Sequence, residues 1–191
     1  MTSSLLKSAT VAVVIGVVST ITLGVSQAAR VPVRTCTSAV WGNLGRNWQQ
    51  DPGTIVVGPV AFRYFDPNTS SPASSFAATD GLYRGQKTLV VVANNVTVRL
   101  VIPGAERKRL RLLYDPAAWN QTNRYPLSDG DVATLFHGCG TYGGVKGFYN
   151  GSFLVAGPQC ASVLIYVGKQ LKPLTAHLPF GQACPAPVKP T

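Results

Sequence analysis

Val96-Thr97-Val98-Arg99-Leu100-Val101-Ile102 is the stretch on which the reading of this chain turns. Val96, Val98, Leu100 and Ile102 alternate with Thr97, Arg99 and Val101. A repeat of two sends successive side chains to opposite faces of a strand, so one face meets a core and the other meets water. Leu110, Leu112 and Tyr114 alternate with Arg109, Arg111 and Leu113 in the same way. Upstream, Leu89–Val92 is apolar without interruption, the pattern of a central strand. Asn94-Asn95 separates the runs and suits a tight turn, because Asn tolerates positive φ.

The same reasoning predicts strands at Ile55–Phe62, Val132–Phe136, Phe148–Val155, Ser162–Val167 and Leu174–Leu178. Gly58-Pro59, Pro103-Gly104, Asp129-Gly130 and Gly157-Pro158 punctuate them. Short strands between frequent turn signals imply an all-β fold, an antiparallel β-sandwich of immunoglobulin-like or related Greek-key type. Asp66–Asp80, rich in Ser and Pro, reads as a long exposed loop. No internal repeat at a fixed period is present.

Composition agrees. Among 191 residues, 46% are hydrophobic types and only 13% are charged, with 19 Gly and 14 Pro. Such a chain is not a long helical bundle, a coiled coil or a charge-rich disordered protein. Seventeen Lys and Arg against seven acids leave a net charge of +10. The length suits one core with a tail.

The N-terminus reads as an export signal. Lys7 precedes the apolar run Ala9–Val25, and Ser26-Gln27-Ala28 offers small residues where a signal peptidase reads them. The run falls between a signal peptide and a spanning helix of about 20 residues. Residues 1–28 are therefore expected to be a signal peptide or a membrane anchor through residues 5–25. Residues 29–184 would then be an extracytoplasmic β-sandwich domain, and 185–191 a Pro-rich tail. Four cysteines without a CxxC pair fit an exported, oxidised protein better than a zinc ribbon or redox motif. Of the three possible connectivities, Cys139–Cys160 and Cys36–Cys184 are preferred. The first would clamp a Gly-rich hairpin and the second would tie the domain's ends together.

Leu112-Leu113-Tyr114-Asp115-Pro116-Ala117-Ala118-Trp119 is followed by Leu127-Ser128-Asp129-Gly130-Asp131, Cys139, Phe148 to Phe153, Ala156-Gly157-Pro158 and Cys160. This order resembles a group of uncharacterised exported or membrane-anchored β-rich proteins of actinobacteria over roughly Lys87–Cys184. The resemblance implies compartment and architecture, and no activity.

Several residues invite chemistry. His137-Gly138-Cys139 resembles the active-site core of the L,D-transpeptidases, in which a cysteine thiolate attacks a peptide carbonyl and a histidine takes the proton. Phe136 stands where that family has Ser or Thr. Gly140 and Thr141 follow where it has an apolar residue and Arg, and no His precedes His137. A disulfide at Cys139 would also remove the attacking thiolate. Asp129 and Asp131 could suggest calcium, but they supply too few ligands for it and read as a turn. A glycosidase pair is equally unsupported, since the only Glu, Glu106, lies in a basic run. Met1 is the only methionine, so thioether copper sites are excluded, and no metal or cofactor is expected.

Arg107-Lys108-Arg109 with Arg111 is the densest positive patch, expected to start a strand with Arg109 and Arg111 on one face. In an exported protein, anionic lipid, acidic wall polymers or an envelope protein are the expected partners rather than nucleic acid. Membrane contact otherwise comes only through an uncleaved N-terminus. Trp41, Trp48 and Trp119, with Tyr142 and Tyr149, are candidates for a stacking surface, although core filling is the commoner fate of such residues. Tyr142 and Tyr149 would sit on a hairpin tip among Gly143, Gly144, Gly147 and Gly151. Sequons at Asn68, Asn95, Asn120 and Asn150 would be silent in a bacterium. The expected role is a non-catalytic interaction module; the alternative is a wall-modifying cysteine transpeptidase using Cys139 and His137.

Overall fold

The computed structural model describes residues 30–65, 76, 80–142 and 145–185. The expected export segment lies outside them, as do the tail beyond Pro185 and most of the Asp66–Asp80 stretch. Among the described residues no helix is long and apolar enough to cross a membrane.

In chain order the strands are β1 (Val33–Arg34), β2 (Val40–Gly42), β3 (Thr54–Val57), β4 (Val60–Arg63), β5 (Tyr83–Val92), β6 (Thr97–Val101) and β7 (Leu110–Leu113). They continue as β8 (Arg124–Tyr125), β9 (Ala133–His137), β10 (Thr141–Tyr142), β11 (Val145–Val155), β12 (Gln159–Val167) and β13 (Leu174–Phe180). One sheet has the order β1-β9-β6-β12-β13. The other runs β10-β11-β5-β4-β3, with β2 and β7 also on β11 and β8 on β5. From β5 to β7, and again from β9 through β11 to β12, the chain crosses between sheets at each main strand.

The alternation that decided the fold is realised in the packing. Val98 and Leu100 of β6 are fully buried, whereas Arg99 between them is exposed. They share one core with Phe136, Val163, Ile165 and Leu178 of the same sheet. Val60, Phe62, Val90, Val92, Leu110, Leu112, Phe153 and Val155 complete it from the facing sheet. Each such side chain contributes about 1.5–3 kcal/mol on leaving water. Rings knit the layers: Tyr114 meets Phe136 at 5.2 Å and Phe153 meets Phe180 at 5.4 Å between centroids. β5 is buried from Thr88 to Val92, as its unbroken apolar run requires. Asn95 makes the expected turn at φ +58°.

A smaller cluster of Leu113, Tyr125 and Leu154 forms apart from the main core. Ala118 and Leu127, from the segment joining β7 to β9, pack against it. Asp115 starts that excursion by accepting a hydrogen bond from Ala117 N at 3.1 Å.

Three expectations are corrected. Ile55–Phe62 is a hairpin, β3 and β4, because Gly58 turns the chain at φ +54°. Phe76, within the stretch expected to be an exposed loop, is 2% exposed and lies 6.4 Å from Phe180. The disulfides are Cys36–Cys139 and Cys160–Cys184, not Cys139–Cys160 and Cys36–Cys184.

Sheet register explains the pairing. β1 lies parallel to β9 with Val33 facing Leu135 and Arg34 facing Phe136, so Cys36 arrives beside Cys139. β6 separates β9 from β12. Cys139 sits past the Thr97 end of β6 and Cys160 beyond its Val101 end. Two strand spacings of about 4.8 Å, plus the length of β6, exceed the reach of a disulfide. After β13 the chain folds back so that Gly181 bridges Gln159, which sets Cys184 beside Cys160.

Candidate functional site

Arg107, Lys108 and Arg109 occupy the turn ahead of β7 rather than the strand itself, and all three are exposed; Arg111 lies within β7 and is half-buried. Arg107 Nε donates to the Ile102 carbonyl at 3.2 Å. Arg109 Nη2 donates to the Pro158 carbonyl at 3.3 Å, reaching the turn between β11 and β12. Arg111 Nη1 donates to the Leu110 carbonyl. Burial, then the charge of Arg107, lowers the Arg111 pKa below its ordinary value. Among the described residues none of these four cations pairs with a carboxylate; the ion pairs are Arg34–Asp115 and Arg63–Asp51. Glu106, nearest in sequence, faces the Ser162 amide instead.

β10 and β11 pair as the expected hairpin, but Tyr149 and Phe153 lie beyond its tip, in the part of β11 that is central to the sheet. β11 pairs with β5 over Tyr149–Leu154 and with β7 over Ser152–Val155. Tyr149 is 2% exposed, and its hydroxyl donates to the His137 carbonyl. It is a core residue, not a binding one, and burial pushes its phenol up to about 12. Gly151 is required by packing: a Cβ there would lie 2.3 Å from the Tyr114 ring. Tyr142 belongs to β10, opposite Val145, and its side chain lies outside the described residues.

The His137-Gly138-Cys139 group does not form a catalytic dyad. Cys139 Sγ is bonded to Cys36, and Cys139 is 1% exposed. The His137 ring is engaged through Nδ1 with Thr97 Oγ1 at 3.0 Å. Gly138 is needed because a Cβ would meet the Ala93 carbonyl oxygen. Asp129 ends a short 3-10 turn, and Asp131 pairs its backbone with Leu112. Burial raises the Asp131 carboxyl above the usual carboxylate range, against the pull of Arg34. Among the described residues no three His, Cys, Asp or Glu side chains gather as metal ligands would.

The tryptophans do not converge. Trp41 lies beside Gly147, Trp48 lies under the Arg63 guanidinium at 5.7 Å, and Trp119 stands elsewhere, 39% exposed. Trp119 lines a cleft of about 300 Å³ with Lys87, Asn120, Asn123, Tyr125, Asn150, Gly151 and Ser152. Sequence reasoning singled out Trp119 but missed Lys87, Asn150 and Ser152 as its companions. The available signal was the polar pair Asn150 and Ser152, two apart on β11 and opposite in phase to the core residues Tyr149 and Phe153. Only the register, which sets Ser152 opposite Lys87, brings the cation to them. Compared with known proteins, the chain matches no family model, no curated protein and no solved structure.

Proposed function

We propose that this chain is a non-catalytic interaction module of an oxidising, extracytoplasmic compartment, and that it contacts anionic envelope components through the Arg107–Arg111 ridge. The supporting observation is the ridge's charge state. Four cations stand together with no carboxylate partner among the described residues, in a chain of net charge +10. Backbone carbonyls already hold Arg107 and Arg109, so less side-chain freedom is lost when a phosphate or carboxylate docks. Two disulfides fit export, because cytosolic thiols are kept reduced. The proposal includes a Greek-key reading of the two sheets, supported by the repeated crossing of the chain between them.

The test is adsorption to phosphatidylglycerol vesicles and to a teichoic-type polymer at low salt, where exposed charges act most strongly. Arg107→Glu/Lys108→Glu/Arg109→Glu should weaken adsorption, and added salt should weaken it for the parent chain. A thermal melt checks that the variant folds. Adsorption equal to the parent's in a folded variant, or insensitive to salt, removes the reading.

A further inference from the structure

The cleft beside Trp119 is lined by an indole, amides, a hydroxyl and a cation. From the cleft and its companions, we infer that it binds an acidic saccharide unit, with the sugar ring on Trp119 and the acid group on Lys87. This site is separate from the Arg107–Arg111 ridge and does not depend on it.

Four observations carry the inference. First, the volume, about 300 Å³, matches the lower range of small-molecule sites. Second, Trp119 is 39% exposed although large rings usually bury themselves, so a flat apolar face is left for the C–H edge of a pyranose. Third, the Asn150 Oδ1 atom is buried with no hydrogen-bond partner among the described residues. An unsatisfied buried amide oxygen is a rare feature that a ligand hydroxyl would relieve. Asn150 lines the cleft, which places its amide within reach of a bound hydroxyl. Fourth, Lys87 is exposed, with its Nζ 5.5 Å from the centroid of the Tyr64 ring. Tyr64, itself 45% exposed, stands beside Lys87 without lining the cleft.

The cleft's other amides are already committed. Asn120 holds the Arg124 carbonyl at 2.7 Å and Asn123 holds the Gly85 carbonyl at 3.1 Å, which stiffens the rim that carries Trp119. Among the described residues Asn150 and Ser152 are left to face a ligand, and Lys87 would leave its contact with Tyr64 to pair with an acid group. Such a set recognises hydroxyls flanking a carboxylate.

The experiment titrates the full chain with tri-galacturonate and with neutral maltotriose while the three tryptophan indole N–H signals are followed by NMR. Tri-galacturonate should shift the Trp119 signal and leave Trp41 and Trp48 unmoved, with maltotriose at least tenfold weaker. Trp119→Ala should abolish binding, while Asn150→Ala and Lys87→Gln should each weaken it about tenfold. Arg107→Glu/Lys108→Glu/Arg109→Glu should leave the Trp119 response intact, which separates this site from the ridge. No shift at Trp119 with either sugar overturns the inference. So does equal binding of the two sugars, or binding that survives Trp119→Ala.

Discussion

Removing each disulfide as a pair should cost unequal amounts of stability. Cys36–Cys139 closes a separation of 103 residues and Cys160–Cys184 one of 24. On the chain-entropy model these restrain the unfolded chain by about 4.7 and about 3.5 kcal/mol. Cys139 is also 1% exposed, so Cys139→Ala leaves a small void in the core, which widens the gap. Cys36→Ala/Cys139→Ala should therefore lower the unfolding free energy by about 5 kcal/mol. Cys160→Ala/Cys184→Ala should lower it by about 3.5 kcal/mol. Urea unfolding extrapolated to water measures both, and a steeper slope in each variant would report the unfolded chain expanding once its cross-link is gone. Alkylation and peptide mapping of single variants supply the connectivity. Cys36→Ala should expose a thiol at Cys139, and Cys160→Ala one at Cys184. A larger loss for the Cys160–Cys184 pair refutes the entropic reasoning. A thiol at Cys160 or Cys184 in the Cys36→Ala variant refutes the parallel register of β1 on β9.

Gly151→Ala should destabilise by about 1–3 kcal/mol in the same assay, because its Cβ would sit 2.3 Å from the Tyr114 ring. A neutral result would mean that Tyr114 yields easily, despite its hydroxyl bond to the Thr88 carbonyl. The Tyr149 phenol, pushed up by burial to about 12 from 10.0, keeps its proton in the folded state. Its contribution is thus complete below pH 10 and is lost as pH rises through 12. Tyr149→Phe should flatten that alkaline decline, as read by rapid pH-jump unfolding. A decline as steep as the parent's would assign it to other groups, such as Tyr114.

Much of the fold is legible in the sequence. The period-two run around Val98 specifies burial directly, with Arg99 in water between Val98 and Leu100. Around Leu112 it accounts for Leu110 and Leu112 but not for Leu113, which a second cluster buries from the opposite face. Asn95 and Gly58 announced turns that the backbone makes at positive φ. The aromatic residues were harder. Tyr149 and Trp119 carry similar local signals, yet one fills the core and the other stands in a cleft. Local sequence states that a ring is large, not which side of a sheet its strand presents. The basic ridge was found from its composition, but its attachment to the Pro158 carbonyl depends on a turn nearly fifty residues away. The Lys87 cleft was missed because its groups come from β5, β11 and the segment before β8.

From its own residues the chain determined an all-β, two-sheet architecture, its turns, its excess of positive charge and an even set of cysteines. Those properties depend on neighbours along the chain, within a few residues of one another. Tertiary structure alone decided which cysteines bond, which rings are buried and which polar groups share a cleft. The physical reason is register. A strand's partner and offset are settled by the packing of the whole sheet, and a shift of one residue exchanges every inward side chain for an outward one.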